Sequence, residues 1–205
     1  EMQSDAALAF EPGRAGTHAL EVLARRLAAL PASRRPKLHL VGHSAGSIWH
    51  AHLLERWAAL AGPSFANLIL FAPACTHGLF ARAIRPALEA RRVGRLHHFL
   101  LDDRSEVADD VAKIYRKSLL YLVSNAYQDR RSVVPLLGME KFLPALPTAG
   151  IEDRIGTWLS PRDPARSAAR SHGGFDQDPA TMNTMLELVL GRAPARRFTP
   201  TELGD

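Results

Sequence analysis

Lys37-Leu38-His39-Leu40-Val41 runs straight into Gly42-His43-Ser44-Ala45-Gly46-Ser47, and this stretch decides the fold. The segment up to Val41 has the apolar make-up and length of a strand, and Pro31 and Pro36 set it off from what precedes. From Ser47 to Leu60 the apolar residues Ile48, Leu53, Leu54, Trp57 and Leu60 recur at helical spacing, and Gly62-Pro63 ends them. Between the two lies Gly42-His43-Ser44-Ala45-Gly46, a G-x-S-x-G pentapeptide. Such a pentapeptide carries meaning when a strand leads into it and a helix leads out, because the sharp turn then holds the serine in strained backbone and lifts its hydroxyl clear of the sheet edge. Side chains at Gly42 and Gly46 are expected to collide with neighbouring backbone. The Ala45 N–H would sit at a helix N-terminus, where backbone donors favour a developing oxyanion. The competing reading is a glycine-rich turn in which Ser44 only caps the helix.

Outward from this turn, strands and helices alternate. Residues 15–30 read as an amphipathic helix, with Leu20, Leu23, Leu27 and Leu30 on one side and Arg25 and Arg26 on another. Asn67 to Ala72 is a continuous apolar run stopped by Pro73, and Arg95 to Leu101 is a third strand. A helix over 78–90, broken near Pro86, joins them. Val111 to Tyr127 reads as a helix along Val111, Ile114, Tyr115, Leu119, Leu122 and Val123, followed by a stretch punctuated by Pro135, Gly138, Pro144 and Pro147. Arg154 to Ser160 is a fourth strand, and a last helix runs from about Pro179 to Leu190.

The alternation predicts an α/β fold in which a parallel sheet of about four strands is flanked by helices. The strands are mostly apolar throughout, as expected when both faces are covered. The whole chain, 1–205, is expected to form one domain. Residues 104–150 are either a cap over the active-site edge or a crossover helix with a long tail. Residues 192–205 are expected to form a flexible tail.

A serine hydroxyl needs a base, and the base needs an orienting acid. His172 lies between the last strand and the last helix, in Ser171-His172-Gly173-Gly174-Phe175, so its loop falls at the sheet edge where Ser44 also lies. Asp102 and Asp103 both follow the third strand, and either is placed to reach the far nitrogen of His172. Glu106, Asp109 and Asp110 lie farther on and read as solvated or helix-capping. His43, beside the nucleophile, reads as structural or pocket-lining. If residues 104–150 form a cap, Tyr115, Leu119, Tyr121, Leu122 and Phe142 are candidates to line an acyl or alcohol pocket.

Other chemistries find less support. Lys and Arg number 26 against 21 Asp and Glu, a net charge of +5, but the arginines are scattered in pairs and form no single basic block, so no nucleic-acid partner is expected. No apolar run is long enough to cross a membrane. No phosphate-cradling loop or dinucleotide fingerprint occurs, so no cofactor is expected. His50 and His52 stand two apart on a helix, and with His77, His97 and His98 they form no metal-ligand pattern. The single cysteine, Cys75, excludes an intrachain disulfide, fits a reducing, cytoplasmic setting, and reads as a small buried thiol.

Gly42-His43-Ser44-Ala45-Gly46 after a strand, an Asp after a later strand and His172 before the C-terminal helix together resemble the α/β-hydrolase superfamily over roughly residues 15–191. His39 to Ser47, Ala72 to Thr76 and Lys117 to Ala126 are similar to a little-characterised bacterial subgroup of it. That subgroup carries a Thr-Asp-Arg step at Asp102-Asp103-Arg104, which favours Asp103 as the acid. The resemblance implies a serine hydrolase acting on a small-molecule carboxylic ester, with Ser44, Asp103 and His172 as triad and Ala45 in the oxyanion hole. It also implies strands upstream of the serine's strand, and a second oxyanion donor from them, that this chain does not contain. The chain is therefore expected to be incomplete at its N-terminus, to pair with a second copy, or to be completed by a partner chain. The alternative function is a weak or silent fragment that acts through such assembly.

Overall fold

The structure, a computed structural model, describes residues 2–60, 62–111, 115–127 and 133–204. After α1 (Met2–Ala9) and α2 (Ala15–Ala28) come β1 (Leu38–His43), α3 (Gly46–Ala59) and β2 (Phe65–Phe71). Then follow α4 (His77–Leu79), α5 (Arg85–Glu89), β3 (Val93–Leu101), α6 (Asp103–Ala108) and α7 (Leu119–Leu122). The chain closes with β4 (Ile155–Ser160), α8 (Pro179–Leu190) and α9 (Pro200–Leu203). The four strands form one sheet in the order β1-β2-β3-β4, and every pairing is parallel. The fold is thus the expected α/β arrangement, with helices flanking a parallel sheet.

Parallel pairing puts the C-terminal ends of all four strands at one edge, so the segments that follow them share that edge. The centre of the sheet is mostly apolar, with Asn67 of β2 and His97 and His98 of β3 the buried polar exceptions among the described residues of those two strands. Leu68, Ile69, Leu70, Leu96, Phe99, Leu100 and Leu101 are completely buried, as a sheet covered on both faces demands. The α3 helix lays Ile48, Ala51, Leu54 and Trp57 into this core. Between α4 and α5 the backbone makes a π turn, Phe80–Ile84, ahead of Pro86, so the interruption read from the proline is absorbed without ending the helical path.

Three expectations need correction. Leu23 is 41% exposed; α2 instead buries Thr17, Leu20 and Leu27, so its inward stripe is narrower than the leucine spacing suggested. The helix read over Val111 to Tyr127 is not formed as such, although Ile114 lies outside the described residues. Val111 and Tyr115 face each other in an antiparallel bridge, and helix begins only where the Ser118 hydroxyl accepts the Tyr121 N–H at 3.3 Å. The reason lies in α6, which the sequence reading passed over. Its buried Glu106 binds the Ser118 hydroxyl through its side chain and the Ser118 N–H through its carbonyl, at 2.8 Å, and so folds the chain back. The C-terminal segment also carries more structure than a loose tail. Asn183 donates to the Phe198 carbonyl and accepts from the Phe198 N–H, and Thr199 and Glu202 form a capping box for α9.

Candidate active site

Ser44 sits between β1 and α3 with φ 50°, a left-handed conformation that a side-chain-bearing residue adopts only under restraint. The restraint comes from several directions. The Ser44 N–H donates to Phe71 O at 2.8 Å, extending the ladder with β2. Its carbonyl accepts from Ala74 N at 3.1 Å and from the Ser47 hydroxyl at 2.6 Å, while the Ser47 oxygen accepts from Cys75 N at 3.0 Å. The loop after β2 therefore buttresses the turn after β1. The two glycines differ. A Cβ on Gly42 would lie 2.7 Å from the His50 ring and 3.2 Å from the Gly46 carbonyl carbon, whereas one on Gly46 would meet nothing within 4 Å. The expected collision holds at Gly42 and fails at Gly46, because nothing in the described chain stands opposite the start of α3.

His172 Nε2 lies 3.0 Å from Ser44 Oγ, although 128 residues separate them. His172 is buried, while Ser44 is half-exposed. Burial, reinforced by the neighbouring His43, pushes the His172 imidazole down to about 4, so it is neutral at neutral pH. His43 does more than line a wall. Its Nε2–H donates to the His172 carbonyl at 2.8 Å, and the two rings lie 5.1 Å apart. Phe175, fully buried, stacks on Phe71 and sets the His172 loop against the sheet.

That loop is shut at its neck by Asp178. One Asp178 oxygen accepts from Ala168 N at 2.7 Å, Thr181 N at 3.0 Å and the Thr181 hydroxyl at 2.6 Å, and the other accepts from Ala180 N at 3.3 Å. Ser167 and Thr181 hydroxyls pair at 2.6 Å beside it, and the Ser160 hydroxyl holds Ala169 O at 2.7 Å. Asp178 is also the N-cap of α8, with Pro179 in the first turn.

The expected acid is not where the triad order put it. Asp103 Oδ1 accepts the Tyr121 hydroxyl at 2.7 Å, and its backbone N–H donates to Glu140 at 2.8 Å. Asp102 caps α6 through the Ser105 N–H at 2.8 Å and faces Arg162 at 3.5 Å. Both carboxylates are thus engaged elsewhere, and neither is hydrogen-bonded to His172 among the described residues. Asp109, expected to be solvated or helix-capping, is the carboxylate that reaches His172: its Oδ2 accepts the His172 backbone N–H at 2.7 Å. The α6 helix explains the exchange, because it turns the chain back and delivers its C-terminal end to the His172 loop. A signal for α6 was present in Asp102 followed by Asp103 and Glu106, an N-cap with an acidic first turn.

Of the pocket candidates, Tyr121 turns its hydroxyl to Asp103 with Lys141 Nζ 3.8 Å from its ring centre. Tyr115, Leu119 and Phe142 pack against the core, Phe142 meets the His77 ring edge-on, and Leu122 is half-buried. Ala45 is the residue before α3, and its N–H is paired with no acceptor among the described residues. Cys75 is buried and its thiol is pushed up to about 12 by burial, which leaves it inert. Among the described residues no three His, Cys, Asp or Glu side chains converge so as to hold a metal ion, and no helix is long and apolar enough to cross a membrane. A cavity of about 790 Å³ lies among His18, Arg25, Arg35 and Leu60, between α2 and the end of α3, and no site residue lines it. Comparison with known proteins finds no matching family, no matching curated protein and no matching solved structure.

Proposed function

We propose that the protein is a serine hydrolase of the α/β-hydrolase kind, cleaving carboxylic esters through an acyl-enzyme. The observation that carries this reading is the 3.0 Å approach of His172 Nε2 to the hydroxyl of a serine held at positive φ on a strand-to-helix turn. With its proton on Nδ1, His172 accepts the Ser44 proton at Nε2 as Oγ attacks the ester carbonyl. The oxyanion forms at the Ala45 N–H, at the start of α3. His172 then gives its proton to the leaving alcohol, and a water activated by the same nitrogen releases the acid. The depressed basicity of His172 keeps it unprotonated, and therefore competent as a base, well below neutral pH. The pocket side chains Tyr115, Leu119, Tyr121, Leu122, Phe142 and His43 would shape the acyl or alcohol side. Its single, buried thiol fits a reducing cytoplasm.

The test is a fluorophosphonate probe with peptide mapping, alongside a panel of p-nitrophenyl esters of rising chain length. Label on Ser44, lost in Ser44→Ala together with ester turnover, is the expected result; an unlabelled, correctly folded protein overturns the reading.

A second reading is favoured by the sheet edge. Among the described residues β1 pairs only with β2, and Val41 on it is 42% exposed. Such an open edge suits a strand from a partner chain or a second copy. In that case the chain acts through assembly, and light scattering that finds a monomer with full esterase activity removes this alternative.

A further inference from the structure

We propose that Asp109 orients His172 for catalysis, as a positioning residue, in place of either aspartate that directly follows β3. The proposal rests on the hydrolase reading above.

Five carboxyl groups lie on the segment after β3, on Asp102, Asp103, Glu106, Asp109 and Asp110, and three of them hold other parts of the fold. Asp102 caps α6 and faces Arg162, Asp103 accepts from Tyr121, and Glu106 is buried against Ser118. Asp109 is the one bonded to the base, at the His172 backbone N–H, 2.7 Å away. In a histidine, Nδ1 is only four bonds from the backbone nitrogen, so an oxygen already on that N–H is within a ring rotation of Nδ1. His172 Nδ1 is itself buried and has no hydrogen-bond partner among the described residues. A buried, unpaired imidazole N–H is costly, and a base that works through Nε2 must carry its proton on Nδ1. The other side of the residue is already closed, because His43 holds the His172 carbonyl. The Asp109 oxygen, already on the adjacent N–H, is thus the acceptor that a turn of the ring offers to Nδ1.

The step balances without a further group. The Ser44 O–H bond breaks, its electron pair forms the bond to the ester carbonyl carbon, and the proton goes to Nε2. The ring becomes an imidazolium that keeps its Nδ1–H and turns it to Asp109, which remains ionised. Around the ring the titratable groups are His43, 5.1 Å away between ring centres, and Asp109; Glu106 feels the charges of Asp109 and Asp103 in turn.

The test compares Asp109→Asn with Asp103→Asn in two ways. Fluorophosphonate labelling of Ser44 reads catalysis, and the pH titration of the His172 ring nitrogens by NMR on ¹⁵N-labelled protein reads the pairing itself. Asp109→Asn is expected to slow labelling by about 10²- to 10⁴-fold. It should also lower the His172 titration midpoint by about one unit or more. Asp103→Asn, which loses the Tyr121 contact and not one to His172, should affect both less than Asp109→Asn. A purely structural role for Asp109 would disturb labelling without moving the Nδ1 signal or its midpoint, and that result overturns the proposal. So does a larger effect from Asp103→Asn. Should the wild type fail to label, the hydrolase reading falls, and the titration alone still decides whether Asp109 pairs with His172.

Discussion

The two halves of the Ser44–His172 pair are built in opposite ways. The serine side is contiguous: strand end, serine and helix start fall within Gly42 to Ser47, and its outside supports are Phe71 at the end of β2 and the loop Ala72 to Cys75 that follows it. The base side is assembled from distant pieces. His43, Asp109 and the neck made by Ser160, Ser167, Asp178 and Thr181 all act on a short loop that has little structure of its own. Local strain positions the first, and side chain–backbone hydrogen bonds across long separations position the second. Damage to the nucleophile should therefore remove chemistry and spare the fold, while damage to the base's supports should affect both.

The largest expected effect is on the nucleophile side. Ser44→Ala should lower ester turnover on the order of 10⁴-fold or more while leaving the thermal midpoint close to wild type; turnover assays beside calorimetry check both.

Acid should separate the sides next, because the ionisable groups that burial perturbs most are concentrated on β3 and beyond. Burial pushes His172 down to about 4, His97 to about 4 with Arg95 adding to it, and His98 to about 3 with His97 adding to it. Between pH 6.5 and 4 the unfolded chain binds protons that the folded one refuses, so stability is present above about 6.5 and lost as pH falls through that window. Glu106 works the other way. Burial raises it to about 7, so its contribution weakens as pH rises from about 4.5 to 7. Three histidines outweigh one glutamate, and the midpoint of denaturant unfolding should fall from pH 6.5 to 4. Glu106→Gln should steepen that fall by removing the opposing term. A flat midpoint across the window would break this account.

Asp178→Ala tests the neck directly. It strips acceptors from Ala168 N, Ala180 N and the Thr181 N–H and hydroxyl, and should cost about 2 to 3 kcal/mol in denaturant unfolding, with esterase loss beyond what the remaining folded fraction explains. Smaller again is Gly42→Ala, at about 1 to 3 kcal/mol, because the new methyl overlaps the His50 ring, which is held at Val41 O. The smallest is Gly46→Ala, within about 0.5 kcal/mol, since its methyl enters open space. Equal costs for the two glycines would show that something covers the start of α3 in solution.

The same contrast explains what could be read in advance. The four strands, α3, α8 and the turn at Ser44 announce themselves through local periodicity and punctuation. His172 was legible because a loop between the last strand and last helix must return to the strand ends. Asp109 was not, because a carboxylate that binds a backbone N–H 63 residues away leaves no pattern in its own neighbourhood. Val111 to Tyr127 misled for a related reason. Its apolar spacing is genuine, but a buried Glu106 that captures Ser118 outranks it and breaks the helix. Asp178-Pro179 advertised a helix start correctly, yet nothing nearby revealed its second hold on Ala168.

Asp178 has one more implication. A ribbon cinched at its base by Asp178 and its neighbours is a cassette: the exposed positions between Ala168 and Asp178 can be exchanged without the scaffold registering it, as long as Ala169, Phe175 and the imidazole stay put. Under the hydrolase reading, diversification of the substrates accepted, by drift or by design, has its shortest route through that ribbon.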